Sequence, residues 1–331
     1  MAKDFTEGHP FKVIFLFSLP MLIGNIFQQL YSTVDSIIVG NFVGKNALAA
    51  ISGSGSVQFL IVAISFGFTA GISVVLSQVY GAKEYDKLKR AFSTSLIFVL
   101  SLALFLGIIG IAISTPLLKL LGTPDDIMPD AVGYLRIMFI GMPASFLYNM
   151  CSSALRSVGD SKTPLYFLII ASIGNIVLDL LFVAVIPMGV IGAALATIIA
   201  QCLSGVLCMI YMNKKTPIFA LTRKDLIYDK QIVSAIVNYG LPTAVQNSIN
   251  SVSMLAVQKF VNYFGADMMA AYGITNRIES FVTMPIMNMA LALSTYSGQN
   301  IGAGKVKRAK QGITATAAMQ AIFCFVMAFI L

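Results

Sequence analysis

Asn25-Ile26-Phe27-Gln28-Gln29-Leu30-Tyr31-Ser32-Thr33-Val34-Asp35-Ser36-Ile37-Ile38-Val39-Gly40 is the stretch whose reading decides the fold. It lies inside an apolar run that begins at Phe11, and a helix needs about 20 such residues to cross a bilayer. Within the run Asn25, Gln28, Ser32 and Asp35 are spaced by three, four and three residues, so a helix gathers them into one polar stripe. A carboxylate at membrane depth costs roughly 3 kcal/mol or more unless it faces a partner or water. The remainder of the chain has to account for that stripe.

Composition agrees with a membrane protein. Of 331 residues, 57% are hydrophobic and 11% charged, against about 25% charged in soluble domains; mean hydropathy is +0.85. The formal charge of +8 sits in short clusters between apolar runs, a pattern that reports membrane topology and not nucleic-acid binding. His9 is the only histidine, which excludes a His-based triad or zinc centre. Cys151, Cys202, Cys208 and Cys324 lie in or beside apolar runs without metal-site spacing and read as small packing residues. No secretory signal peptide is expected, because the first apolar run is far longer than the roughly 7–15 residues of a signal core.

Nine spans are expected, roughly 11–40, 49–80, 92–118, 131–154, 164–186, 189–211, 232–263, 269–300 and 312–331. Lys3 and Lys12 precede the first. Lys83, Lys87, Lys89 and Arg90 follow the second, and Arg156 and Lys162 the fourth. Lys214, Lys215, Arg223, Lys224 and Lys230 follow the sixth, and Lys305, Lys307, Arg308 and Lys310 the eighth. These clusters hold most of the 22 basic residues and all fall on one side, while the other has little beyond Lys45, Lys119 and Lys259. The positive-inside rule then puts the N-terminus in the cytoplasm.

The chain also repeats itself. Ser18-Leu19-Pro20 returns as Gly240-Leu241-Pro242, Asn41-Phe42-Val43-Gly44 as Asn262-Tyr263-Phe264-Gly265, and Gln78-Val79-Tyr80-Gly81-Ala82 as Gln299-Asn300-Ile301-Gly302-Ala303. An even number of spans separates the copies, so they share one orientation, as in transporters built from parallel halves. The expected fold is an all-α integral membrane protein of two parallel six-helix repeats. Residues 1–215 form a complete N-lobe and 216–331 a C-lobe that is short of its last three helices, as in a shortened chain or a fragment.

With the repeat and the stripe in place, the chain resembles the MATE family of multidrug and toxin extrusion transporters, in its bacterial DinF-like branch. The resemblance is carried by Leu19-Pro20, Val34-Asp35-Ser36-Ile37-Ile38-Val39-Gly40, Gln78 with Gly81-Ala82, Arg156-Ser157-Val158-Gly159-Asp160-Ser161-Lys162-Thr163-Pro164 and Gly174-Asn175-Ile176-Val177-Leu178-Asp179. The family has twelve helices. The resemblance implies a cell-membrane exporter that is no enzyme and needs no cofactor, with Asp35 as a protonation or cation site.

Asp179 is a second carboxylate at membrane depth, and Asn175, four residues earlier, shares its helix face. Thr197 adds a hydroxyl four residues before Gln201. The resemblance groups Asp35, Asn175, Asp179 and Thr197 as the ion-coupling set. Such oxygens suit Na⁺, and two acids in a dry pocket suit a proton equally. The C-lobe copy lacks a matching acid, but a polar stripe persists as Asn247, Asn250, Ser251 and Gln258. Asn25, Gln28, Ser32, Gln201, Asn247 and Asn250 are the candidates for lining a substrate cavity. Arg277 and Glu279 are expected to snorkel toward the outer face.

The function expected is secondary-active efflux of small cationic amphipathic compounds in exchange for H⁺ or Na⁺, with membrane lipid as surroundings and no obligate protein partner. One alternative is a flippase of lipid-linked oligosaccharide in the same broad superfamily. Pyrophosphate would call for cations in the cavity, and the N-lobe spans are expected to offer none at depth. A channel is the alternative from a different class, and the paired lobes fit alternating access better.

Overall fold

The computed structural model describes residues 3–264 and 266–330. Gly265 of the second repeat motif therefore falls outside it, as do the side chains of Arg223, Gln258, Lys259 and Arg277. Ten α-helices make up the description: α1 Pro10–Phe42, α2 Lys45–Gly81, α3 Tyr85–Leu120, α4 Met128–Ile140, α5 Met142–Ser157, α6 Lys162–Asp179, α7 Gly189–Lys215, α8 Lys230–Asn262, α9 Ala266–Gly302 and α10 Val306–Ile330. The first, of 33 residues, reaches about 50 Å at 1.5 Å per residue. Pro10 opens it at a position where its missing N–H has no helical partner to lose.

Helices α1, α3, α6, α7, α10 and the second part of α2 are long and apolar enough to cross a membrane. The expected span over 131–154 is two helices, α4 and α5, bent by 46° where Gly141, Met142 and Pro143 interrupt the ladder. Taken as one, that pair is a seventh span. Helices α8 and α9 have the length, at 33 and 37 residues, but low mean hydropathy because Asn and Gln replace apolar residues along them. The expected fifth span is also irregular: α6 runs straight into a π-helical turn, Leu180–Val185, that begins next to Asp179. Such turns widen the helix locally and recur at functional sites.

One apolar core joins α2, α3, α4, α5 and the end of α7 through Ile72, Leu76, Leu88, Phe92, Phe146 and Met212. A second ties the N-terminal segment to α1, α9 and α10 through Phe5, Phe17, Tyr296 and Met319. Large apolar side chains such as Leu104, Phe105 and Ile108 on α3 face outward, as a lipid-facing surface requires.

The basic end of the molecule is sealed by backbone contact. A Cβ placed on Gly81 would collide with the Gln299 carbonyl, and one on Gly302 with the Gln78 carbonyl. One on Gly298 would strike the Ser77 side chain. Thus α2 and α9 cross with the two repeat motifs face to face, and only glycine allows so close an approach. The N-terminal segment lies across the same end. Lys3 N–H donates to Val158 O at 3.0 Å. The buried Gln299 accepts from Phe5 N–H at 2.9 Å and donates to Ser157 O at 2.8 Å. Arg308 donates to the carbonyls of Phe5, Glu7 and Gly8 and sits 5.6 Å over the Tyr296 ring.

Candidate functional site

Asp35 on α1 and Asp179 at the end of α6 meet, their carboxyl groups close enough to hydrogen-bond to each other. Asp179 is 0% exposed, and one oxygen of each carboxyl is buried without a partner among the described residues. Two carboxylates in such contact cannot both stay ionised and bare, so the pair holds a proton or a cation. Asn175 decides how Asp179 is presented. In the orientation that satisfies its amide, the nitrogen donates to Asp179 Oδ2 at 3.2 Å and the oxygen accepts from the Thr197 backbone N–H at 3.3 Å.

In that orientation Asn175 offers the pair an N–H. Thr197 contributes its backbone N–H, and no bond from its hydroxyl to either carboxyl is seen among the described residues. The tyrosines Tyr31 on α1 and Tyr134 on α4 lie near both aspartates, Tyr31 beside Gln28 and Tyr134 beside Gln58. Neither was picked out from the sequence, where an aromatic at helical spacing looks like packing.

Beside the pair lies a cavity of about 130 Å³. Its wall includes Asn25, Gln28, Tyr31, Asn175, Thr197 and Gln201. Of the six residues expected to line a cavity, Asn25, Gln28 and Gln201 do, the last bonded to Ser145, while Ser32, Asn247 and Asn250 do not line this one. Asn250 is exposed and Asn247 half-buried on α8. Asn25 donates to Asn288 Oδ1 at 3.2 Å, which links α1 to α9 across the cavity. The volume holds a few waters at roughly 30 Å³ each, whereas drug-sized ligands need about 300 Å³ or more, so the cavity must widen to take one.

Neither aspartate is on the cavity wall; Tyr31, Asn175 and Thr197 stand between. Among the described lining residues the single formal charge is Arg156. Arg156 counts as a loop cation by position in the chain, but it is in the last turn of α5, turned inward.

Comparison with known proteins gives a consistent picture. A family model described as MatE matches residues 20–181 and 242–331. The probable multidrug resistance protein YoeA of Bacillus subtilis is 35% identical over 305 residues, 90% of this chain and 66% of that one. A protein of Shewanella oneidensis named FAD transporter is 29% identical over 311 residues, 91% of this chain and 68% of that one. A solved structure described as the outward-facing conformation of a multidrug resistance MATE family transporter of the MOP superfamily superposes with a TM-score of 0.89 at 26% identity, covering 99% of this chain and 73% of its own. The chain thus spans about two thirds of the length of these relatives.

Proposed function

The chain belongs to the MatE family of membrane transporters, and from that premise we propose that it is a secondary-active antiporter in the cell membrane that exports amphipathic organic compounds, cationic ones among them. The observation that carries the reading is the Asp35–Asp179 pair, two carboxyls from different helices meeting at depth beside a cavity. Inward flow of H⁺ or Na⁺ through that pair would bias the balance between states open to either side, by binding one state more tightly than the other. Of the two ions we take H⁺: in the orientation that satisfies its own hydrogen bonds the Asn175 amide turns an N–H toward Asp179, which leaves a metal cation one oxygen short.

The Gly81 and Gly302 contacts, reciprocal between the two motifs, support parallel repeats with residues 1–215 and 216–331 as lobes. On the positive-inside rule the sealed basic end is cytoplasmic, which is what an outward-facing form requires. One relative is named for multidrug resistance and another for FAD, so the charge of the substrate has to be read from the cavity wall.

The test is efflux of a cationic dye from vesicles under imposed pH or Na⁺ gradients. Wild type should respond to the pH gradient, and Asp35→Asn or Asp179→Asn should abolish the response. Undiminished gradient-driven efflux in both variants would sink the assignment.

A further inference from the structure

Arg156 is the one charge on the cavity wall among the described residues, and none of the described residues answers it. Its guanidinium makes no hydrogen bond or ion pair with any described residue. The carbonyls at the end of α5, which an arginine there could cap, already have donors. Ala154 O accepts from Ser157 Oγ at 2.7 Å and Leu155 O from Asp160 N–H at 2.9 Å. Arg156 O accepts from Gly159 N–H at 2.9 Å, Ser157 O from Gln299 and Val158 O from Lys3. The neighbouring carboxylate, Asp160, is turned to the start of α6, where it accepts from Lys162 N–H, Thr163 N–H and the Thr163 hydroxyl.

The same helix face presents more donors. Tyr148, Ser152 and Arg156 are spaced by four, so all three point into the cavity from successive turns. Ser152 is 1% exposed, and its Oγ lies next to the Tyr148 hydroxyl. Tyr148 already donates to Pro164 O at 3.2 Å, which leaves its oxygen lone pairs toward Ser152 and sets the edge of the site. A guanidinium with five N–H donors, beside a buried serine hydroxyl that it can recruit, is what a carboxylate or phosphate accepts from, and it repels a cation. The aspartate pair is at the other end. Pro164 and Asn175, which line the cavity at its two ends, are about 16 Å apart along α6 at 1.5 Å per residue.

We propose that Arg156 and Ser152 form an oxyanion-binding subsite at the basic end of the cavity, so that the substrates include amphipaths bearing a carboxylate or a phosphate monoester, zwitterions among them. This rests on the reading above only in taking the cavity as the substrate site. Substrate would lie along the cavity with its anionic group on Arg156 and its apolar or cationic part toward Tyr31 and Asn175.

The experiment is equilibrium binding to the purified chain in detergent, without a gradient, of four naphthalene probes: 1-naphthyl phosphate, 1-naphthoate, uncharged 1-naphthol and a naphthyl trimethylammonium salt. Wild type should bind one or both anions more tightly than 1-naphthol, and whichever does so identifies phosphate or carboxylate as the group. Arg156→Gln should weaken that anion roughly tenfold or more and leave 1-naphthol unchanged. Arg156→Lys, which keeps the charge and loses the fork, should fall between, and Ser152→Ala should weaken the anion severalfold. The last two serve if Arg156→Gln fails to fold. Anions bound no better than 1-naphthol, or equally by wild type and the Arg156 variants, overturn the subsite. If the ammonium probe alone binds, the inference falls and the exporter reading stands. If no probe binds, both fall.

Discussion

Gln299 holds three elements together, and removing its amide should unlock the sealed end. It is 0% exposed, accepting from Phe5 N–H at 2.9 Å and donating to Ser157 O at 2.8 Å. In Gln299→Ala a backbone donor and a backbone acceptor stay buried without partners. Each such orphan costs about 1–3 kcal/mol, so the pair costs about 2–6 kcal/mol before water or local shifts relieve it. The three parts so joined are the N-terminal segment, α5 and α9. If these separate during transport, the penalty falls on the closed form alone. Even the lower figure of about 2 kcal/mol shifts a two-state balance about thirtyfold. The assay is the reaction of a Ser157→Cys probe, at a position 0% exposed, with a membrane-impermeant maleimide, in a background where the exposed Cys202 and Cys324 are alanine. Labelling should accelerate by more than tenfold in Gln299→Ala, well below its melting temperature, with the buried Cys151 and Cys208 still protected. A lower melting temperature with unchanged labelling would show that Gln299 merely supports the fold, and the reasoning would be refuted.

Gly302→Leu should also raise Ser157→Cys labelling, because its Cβ overlaps the Gln78 backbone and overpacking of this kind costs about 1–3 kcal/mol. Gly273→Ala is the matched control: its Cβ meets nothing within 4 Å, so the variant should label like wild type and gain up to about 1 kcal/mol of helix propensity. Outside the membrane, Asp225 bridges Lys89 at 2.8 Å. That lysine first, and then the Thr222 hydroxyl and N–H, hold the Asp225 carboxyl below the usual carboxylate range. A depressed carboxyl stabilises above its unfolded value of about 3.9 and loses that contribution as pH falls through the lower folded value. The melting-temperature difference between wild type and Asp225→Asn should therefore stay flat from neutral pH to about pH 5 and shrink only below about pH 4; a difference that grows on acidification would contradict the bridge.

The helices and the carboxyl pair were legible because each leaves a local mark. A long apolar run with Asp35 on the same face as Asn25 and Gln28 announces a helix with something to face, and Asn175-Ile176-Val177-Leu178-Asp179 does the same five helices later. The Gln-x-x-Gly motifs at Gln78 and Gln299 were visible as a repeat, but that they touch each other is a fact about crossing helices, which no one-dimensional pattern encodes. Arg156 was misplaced for a related reason. A basic residue at a span's end satisfies the topology rule, and only the bend between α4 and α5 and the packing of α6 turn it into the cavity. Asn175 and Thr197 were found as residues, while their roles depended on the amide's orientation and on a backbone N–H. The N-terminal segment left little mark: apart from the Phe5 ring in the core, its contacts are made by backbone groups, among them the carbonyls of Phe5, Thr6, Glu7 and Gly8, which every sequence possesses.

Helix α1 is the element that can join these parts into one device. It carries Asp35 near one end, Asn25 with its bond to Asn288 in the middle, and the N-terminal segment that latches the basic end. Asp35 is 25 residues beyond Pro10, about 38 Å along the helix axis. A change of charge at the carboxyl pair acts only weakly over that distance as a field, about 0.4 kcal/mol per unit charge at an effective dielectric constant of about 20. It can be felt as displacement of a rigid rod that has two positions, provided both ends are held by contacts that exist in only one of them. The latch meets that condition if the Gln299 prediction holds. Asp35→Asn, which fixes the pair in a form that cannot ionise at position 35, should then alter Ser157→Cys labelling severalfold in either direction and should lose that effect in a Gln299→Ala background. Equal labelling with and without the Asp35 carboxyl would mean that α1 transmits nothing, and that coupling between ion and gate runs through α6 and the π-helical turn beside Asp179.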